Sequence, residues 1–189
     1  SEALRQEWNV SPGTPVVIHV GRLAAEKNLA ALTDAFMGIR QRQPLARLVL
    51  VGDGPERKAM RSRIPGAIFA GTRRGEDLAA HYASGDIFLF PSLTETFGNV
   101  TLEAMASGLP LVAYDYAAAA QHVRHGTSGL LAAYGETVDF TARAGEMLAW
   151  HQQDPEKFKA MGRDARLTAE ALDWDCVVQE LETLLFSLA

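Results

Sequence analysis

Hydrophobic and polar positions follow two patterns along the chain, one typical of buried strands and one typical of amphipathic helices. Val16 to Val20 is a short, mostly β-branched run that ends at Gly21. Such a run is typical of a strand that is buried on both faces of a parallel sheet. After it, apolar residues recur every three or four positions and predict an amphipathic helix over about Asn28 to Gln43.

The same alternation of strand and helix continues through the rest of the chain. Further strands are predicted at Leu48 to Val51, Ile68 to Ala70, Ile87 to Phe90, Leu109 to Ala113 and Leu130 to Ala132. Further helices are predicted at Ala3 to Trp8, from Pro55 onward, and at Glu76 to Ser84, Asn99 to Ser107, Ala117 to Arg124, Val138 to Gln152, Pro155 to Ala171 and Asp175 to Leu188. Repeated strand and helix units predict an α/β fold, namely a Rossmann-like, doubly wound parallel sheet in three layers (α/β/α). Its ligand crevice is expected at the carboxyl ends of the strands.

Composition limits the classes of function. With 189 residues, 48% hydrophobic and 22% charged, we expect one domain over residues 1–189 with its own core. The net charge of -5 argues against nucleic acid as the main partner. The lone Cys176 fits a reducing compartment, and no apolar run approaches the roughly 18 residues of a membrane span, so a cytoplasmic location is expected. This domain offers no sign of membrane contact.

The loop after the first predicted strand carries two cations. Arg22 supplies a planar fork and Lys27 a mobile point charge, and together they suit a diphosphate. Asn28 is placed to cap the following helix. In the alternative interpretation Arg22 pairs with Glu26 and Lys27 is merely exposed, and spacing alone does not choose between the two.

The stretch from Glu95 to Glu103 follows the fourth predicted strand and is the most informative part of the chain. It contains a tight turn at Gly98 and the start of an apolar helix on which Glu103 is the only charge. The start of that helix can bind an anion, and Asn99 and Glu103 share one of its faces. A buried carboxylate needs a partner, and for Glu103 this is either an Arg or Lys or the hydroxyl groups of a ligand.

Competing motifs are weaker. The glycines after the first two strands do not form a dinucleotide fingerprint, so a nicotinamide cofactor is not expected. Asp173 to Asp175 imitates a metal-binding signature, but a helix cap at Asp175 explains it more simply. The five histidines show no metal-ligand spacing with Cys176, and His19 is expected in the core or at its rim. We find no nucleophile elbow and no catalytic triad.

Five segments in order resemble the group 1, or family 4, glycosyltransferases. They are Val20 to Asn28, Leu50 to Pro55, Ile68 to Gly71, Asp86 to Ser92 and Glu95 to Glu103. The likeness runs from about Val16 to Leu131 and corresponds to the C-terminal half of a GT-B enzyme. It implies retaining transfer from a nucleotide-diphosphate sugar in carbohydrate biosynthesis, without cofactor or essential metal. It also implies that the N-terminal GT-B domain, which carries the acceptor site, lies outside this chain.

The resemblance assigns roles residue by residue. Arg22 and Lys27 would hold the diphosphate and stabilise its charge as it leaves, and Glu95 would hold hydroxyls of the transferred sugar. Glu103 would bind the ribose diol. The remaining donor-binding positions, mainly through their backbone, would be Gly21, Arg73, Phe97, Gly98, Asn99 and Val100.

One departure from the family pattern lies after the fifth strand. Many members carry a Gly-Gly loop and a Pro-Glu pair there, whereas this chain has Tyr114 to Tyr116, then Ala117 to Ala120. The family contacts in that loop are therefore not transferred. Two alternatives to the transferase remain, a non-catalytic nucleotide-sugar binding module and another GT-B-like enzyme such as a nucleotide-sugar epimerase. The base, the sugar, the acceptor and the oligomeric state are left open.

Overall fold

The computed structural model describes residues 2–95 and 97–172, together with positions 178, 183 and 186. Its strands are β1 (Val16–Val20), β2 (Arg47–Val51), β3 (Ile68–Gly71), β4 (Ile87–Phe90), β5 (Leu111–Tyr114) and β6 (Leu130–Ala132). Its helices are α1 (Glu2–Glu7), α2 (Leu29–Arg42), α3 (Arg57–Arg63), α4 (Gly75–Tyr82), α5 (Asn99–Ala106), α6 (Ala117–His122), α7 (Thr137–Gln153) and α8 (Pro155–Glu170). A 3-10 turn lies at Ala25–Lys27. The predicted alternation of strands and helices is therefore confirmed over these residues.

The six strands form one sheet in the order β3-β2-β1-β4-β5-β6, and every pair is parallel. The chain builds outward from β1 to β3, then returns to the other side of β1 and builds outward again. This doubly wound order confirms the predicted Rossmann-like fold. It also places a topological switch point between β1 and β4, where open α/β sheets bind their ligands.

Alternate residues of each buried strand face opposite layers of helices. Val17 belongs to a core with Leu32 and Phe36 of α2 and Phe140 of α7. Its neighbour Ile18 belongs to a second core, which includes Met105 of α5. Because β1 is buried along its whole length, its sequence is a continuous apolar run apart from His19.

Several element boundaries differ from the prediction by one or two residues, and two of these differences have a local cause. Pro55 was expected at the first position of a helix, but α3 begins at Arg57 and Pro55 lies in the preceding turn. That turn is held against the β1 loop, because Glu56 donates its backbone N–H to the carbonyl of Leu23 at 2.9 Å. Strand β5 begins at Leu111, two residues later than predicted, because Pro110 has no N–H to contribute to the sheet.

The predicted helix at Asp175 to Leu188 falls mainly outside the described residues. Within that range only Val178, Thr183 and Phe186 are described, and all three are helical. Cys176 and the sequence from Asp173 to Asp175 are not among the described positions. Among the helices that are described, none has both the length and the apolar character needed to cross a membrane.

Candidate functional site

The loop after β1 is held in place by Asn28. This residue adopts a left-handed conformation with φ of 48°, which Asn tolerates better than most residues, and its side-chain oxygen accepts from the N–H of Ala31 at 3.4 Å. The predicted cap of α2 is therefore confirmed. The Asn28 amide also donates to the Tyr114 hydroxyl at 3.2 Å, which ties this loop to the end of β5.

A cleft of about 300 Å³ lies at the carboxyl ends of β1, β2 and β3. It is lined by Gly21, Arg22 and Arg73 among the predicted residues, and also by Asp53. Arg22 is exposed, with 67% of its side chain accessible, and its guanidinium lies 3.8 Å from the Glu26 carboxylate. The alternative interpretation of Arg22 as the partner of Glu26 is thus also observed. Such an exposed pair contributes only about 0 to 1 kcal/mol, so Arg22 is free to exchange Glu26 for an anion.

The other polar residues of this cleft are fixed by local bonds. Arg73 donates to the Ala70 carbonyl at 2.9 Å and to the Asp77 carboxylate at 3.1 Å. Asp53 accepts from the Gly54 N–H at 2.8 Å and from Arg57 at 2.7 Å, and these two contacts hold the pKa of Asp53 below its usual value. The cleft therefore combines two arginines with one ionised carboxylate.

Lys27 and Glu95 meet at the switch point between β1 and β4. The Lys27 Nζ lies 2.5 Å from the Glu95 Oε1, and their side chains are only 17% and 12% exposed. The ammonium also donates to the Ser92 hydroxyl and to the Thr94 carbonyl, each at 3.2 Å. The alternative interpretation in which Lys27 is merely exposed is therefore wrong, because the loop after β4 folds over Lys27 and surrounds it with hydrogen-bond acceptors.

His19 lies beneath this ion pair and is completely buried. Its Nδ1 donates to the Leu89 carbonyl at 3.0 Å, and its ring stacks on Phe90, which also lies 5.4 Å from the Lys27 ammonium. The His19 Nε2 has no hydrogen-bond partner among the described residues. Burial, assisted by the positive charge of Lys27, lowers the pKa of His19 to about 4. The imidazole is therefore neutral at pH 7, and the expected core position of His19 is confirmed.

Helix α5 begins at the same carboxyl edge of the sheet, directly after the loop that carries Glu95. Gly98 precedes it with φ of 70°, and a β-carbon on Gly98 would lie 2.1 Å from the β-carbon of Ala118. Glycine is thus required for both its conformation and its packing against α6. Asn99 is exposed, Val100 is half-buried, and Phe97 exposes 80% of its surface.

Glu103 lies one turn into α5 and has a partner that the sequence did not indicate. The hydroxyl of Tyr82, at the end of α4, donates to the Glu103 carboxylate at 2.9 Å. Burial and the charge of Glu103 raise the pKa of Tyr82 well above its usual range, so it remains a donor at all physiological pH. Within the described residues Glu103 forms no ion pair with Arg or Lys, so the predicted ion-pair alternative is wrong.

The predicted site residues thus form three groups along the edge of the sheet. Gly21, Arg22 and Arg73 share the cleft at β1 to β3, Lys27 and Glu95 are in direct contact, and the residues around Gly98 begin α5. Sequence reasoning missed Tyr82. It also missed Tyr134, whose hydroxyl donates to the Leu93 carbonyl at 2.8 Å in the loop that carries Glu95. No spacing signal marks either tyrosine, because both reach the site from other elements.

The chain matches the family model of glycosyl transferases group 1 over residues 14–149. It is 35% identical over 186 residues to the sulfoquinovosyl transferase of Arabidopsis thaliana, covering 96% of this chain and 35% of that protein. It is 37% identical over 182 residues to a GDP-mannose-dependent alpha-mannosyltransferase of Mycobacterium tuberculosis, covering 96% of this chain and 45% of that protein. The chain therefore spans less than half the length of these two relatives.

A solved structure agrees with these matches. The HepE protein of Anabaena in complex with UDP superposes with a TM-score of 0.82 at 28% identity, covering 98% of this chain and 52% of that one. The same protein has also been solved with UDP-glucose. The fold is one Rossmann-like half of the GT-B architecture. With a family match over most of its length and a doubly wound sheet of the same kind, this chain belongs to the group 1 glycosyltransferases.

Proposed function

We propose that this chain is the donor-binding domain of a glycosyltransferase that moves a sugar, with retention, from a nucleotide-diphosphate sugar to an acceptor. The observation that carries the proposal is the contact of Lys27 with Glu95 at the switch point, beside a cleft lined by Arg22 and Arg73. A cation for the diphosphate and a carboxylate for sugar hydroxyls then stand side by side. The family resemblance supports retention and an acceptor site on a second GT-B domain.

In this proposal the donor lies along the carboxyl edge of the sheet. The cleft at β1, β2 and β3 would take the nucleoside, with Gly21 and the backbone at Arg73 as its walls. Lys27 and Arg22 would hold the diphosphate, and Glu95 would hold the sugar. The start of α5, from Phe97 to Val100, would contribute backbone N–H groups to phosphate and sugar, since the first N–H groups of a helix have no intrahelical partner.

Glu103 would bind the ribose diol while Tyr82 holds its other oxygen. Because the Tyr82 hydroxyl donates to only one carboxylate oxygen, the second oxygen has lone pairs left for a ligand hydroxyl. A hydrogen bond to a charged carboxylate contributes on the order of 1.5 to 3 kcal/mol. Loss of Glu103 should therefore weaken donor binding about tenfold or more.

The chemistry assigned to this domain is electrostatic. As the bond between the sugar and the diphosphate breaks, negative charge grows on the leaving oxygen. Lys27 lies in a partly water-excluded position, where a fixed cation stabilises developing charge better than it does in bulk solvent. Arg22 adds a second charge from the rim. We propose that these two cations act without a resident metal or cofactor.

The comparisons support a nucleotide-sugar donor without choosing the base. HepE is described in complex with UDP and with UDP-glucose, and the Mycobacterium tuberculosis relative is named GDP-mannose-dependent. The non-catalytic binding module is not favoured, because the relatives carry transferase names.

The test is calorimetric titration of the chain with UDP, GDP and ADP and with their sugar conjugates. Lys27→Ala should weaken the affinity for the nucleotide diphosphate about tenfold or more, because it removes the least solvent-exposed cation of the site. Glu103→Ala should weaken it by a similar factor. Lys58→Ala, which removes an exposed lysine on α3, is the matched control and should change affinity less than twofold.

Unchanged affinity in both Lys27→Ala and Glu103→Ala would refute the site assignment. Retention is tested separately in the two-domain enzyme, by determining the anomeric configuration of the glycoside product by NMR. A product of the opposite anomeric configuration to the donor would refute the retaining mechanism. Chelator treatment of the same reaction should leave the rate unchanged if no metal is required.

A further inference from the structure

Two tyrosines stand at the carboxyl ends of β5 and β6, and the first of them lies in the loop where the chain departs from the family pattern. Tyr116 follows β5 and is 38% exposed, and Tyr134 follows β6 and is 51% exposed. Their ring centroids are 4.8 Å apart, with an angle of 39° between the ring planes. By the strand order, this pair lies on the side of Glu95 that is opposite to the Arg22 and Arg73 cleft.

The pair is held in place before any ligand binds. The Tyr134 hydroxyl donates to the Leu93 carbonyl at 2.8 Å, and its ring meets the edge of Tyr114 at 6.1 Å. After Tyr116 the backbone turns sharply, because Ala117 adopts φ of 48°, a left-handed conformation that costs a non-glycine residue energy. Two aromatic rings fixed in this way lose little conformational entropy when a ligand packs on them.

The tyrosine pair adjoins the polar group assigned to the sugar. Tyr116 lines a small cavity of about 10 Å³ together with Glu95 and Ser92. The Tyr116 hydroxyl forms no hydrogen bond with other residues that the structure describes. A core role would bury both rings and satisfy that hydroxyl, whereas here the rings face solvent next to a carboxylate.

A pyranose ring combines the two chemistries that this surface offers. One face of the sugar presents C–H groups, which pack on the electron-rich face of an aromatic ring, and its rim presents hydroxyls, which donate to a carboxylate. Relying on the proposed function for the location of the donor, we propose that Tyr116 and Tyr134 form an aromatic platform for a pyranose ring held beside Glu95. The platform selects sugars by which face of the ring is free of axial hydroxyls.

The ring could belong to the donor or to a separate sugar acceptor, and two titrations distinguish these sources. In the first, the chain is titrated with UDP and UDP-glucose, and with GDP and GDP-mannose, to measure how much the sugar adds to affinity. In the second, methyl α-glucopyranoside and methyl α-mannopyranoside are added with and without saturating nucleotide diphosphate. Saturation-transfer NMR then reports which sugar protons lie against aromatic rings.

The variants are Tyr116→Ala, Tyr134→Ala, Tyr116→Phe and Tyr134→Phe. The control for loss of an exposed apolar side chain is Leu45→Ala, at a position that precedes β2 and so lies away from the carboxyl ends of the strands. Each alanine variant should reduce the contribution of the sugar about three- to tenfold and leave nucleotide diphosphate affinity within twofold. Tyr116→Phe keeps the ring and should retain most of the effect. Tyr134→Phe separates loss of the ring from loss of the bond to Leu93. Circular dichroism confirms that each variant is folded.

Loss of the sugar contribution in the first titration assigns the platform to the donor, and loss of the glycoside signal in the second assigns it to the acceptor. If both alanine variants bind sugars as the unmodified chain does, the platform is refuted while the nucleotide site stands. If no nucleotide diphosphate binds the unmodified chain, the proposed function fails. The glycoside titration alone then decides whether the tyrosines bind a sugar.

Discussion

Breaking the ion pair between Lys27 and Glu95 should affect stability and donor binding separately. The two side chains are 17% and 12% exposed. Surface pairs contribute about 0 to 1 kcal/mol, and removing one partner of a fully buried pair costs about 3 to 5 kcal/mol. For this partly buried pair we therefore expect Lys27→Met to lower the free energy of unfolding by about 2 to 3 kcal/mol.

The partner substitution should cost less. Glu95→Gln keeps an oxygen that accepts from the ammonium, and Lys27 retains Ser92 and Thr94, so we expect a loss of about 1 kcal/mol. The double variant should lose less stability than the sum of the two single losses, and the difference, the coupling energy, should be about 1 to 2 kcal/mol. Glu170→Gln, which breaks an exposed pair on α8, is the control and should cost less than about 1 kcal/mol.

Urea denaturation of the four chains of this cycle measures the coupling, and titration with nucleotide measures function. Lys27→Met should weaken the binding of both members of the ligand pair that the chain prefers, either UDP and UDP-glucose or GDP and GDP-mannose. Glu95→Gln should change the affinity for the nucleotide diphosphate by no more than about threefold. It should weaken the affinity for the sugar conjugate by about tenfold. Additive stability losses, within about 0.5 kcal/mol, would refute the pair as an energetic unit. Equal weakening of diphosphate and sugar conjugate by Glu95→Gln would refute its separate role at the sugar.

Three further predictions concern the residues around the pair. Gly98→Ala forces a β-carbon against Ala118 at φ of 70° and should lower the free energy of unfolding, measured by urea denaturation, by about 2 to 4 kcal/mol. The control Gly13→Ala, at φ of 78° in open space, should lower it by only about 1 to 2 kcal/mol, and equal losses would refute the packing argument. Burial lowers the pKa of His19 to about 4 in the folded chain, against 6.5 ordinarily, so the unfolded chain binds more protons between these two pH values. The free energy of unfolding should therefore fall by roughly 3 kcal/mol as pH falls from 6.5 to 4, and this fall should be much smaller in His19→Asn. Identical pH profiles of the two chains would refute the contribution of His19. Asn28→Ala loses the cap of α2 and should lower stability by about 1 to 2 kcal/mol, with Asn28→Gly costing less; the reverse order would refute the role of the left-handed conformation.

The strands were predictable because burial on both faces leaves an unambiguous pattern. β1, β4 and β6 have the bounds that the apolar runs predict, since each run ends where the strand leaves the core. The start of β5 was misplaced because hydrophobicity continues through Leu109 and Pro110, while pairing depends on backbone N–H groups that Pro110 lacks. Hydropathy indicates where the core lies, and hydrogen bonding decides where the strand begins.

The candidate site was predictable in location but not in its contacts. Inspecting the residue that follows each strand finds Arg22, Lys27 and Glu95, because the fold brings all strand ends to one edge. It does not show that Lys27 pairs with Glu95, since that contact depends on how the loop after β4 folds back over the 3-10 turn. Nor does it find Tyr82, which reaches Glu103 from the end of a different helix.

The strand order shows where the departure from the family pattern lies along the candidate site. Along the carboxyl edge the sheet presents, in sequence, the arginine cleft at β3, β2 and β1, the ion pair between β1 and β4, and the tyrosines after β5 and β6. Ala118 and Ala119 after β5 are buried and belong to the packing of the fold, whereas the side chains of Tyr116 and Tyr134 are partly exposed and lie outside both cores. In the proposed layout of the donor site, the tyrosine and alanine residues that replace the glycine-rich loop lie at the sugar end, away from the nucleotide cleft at β1, β2 and β3.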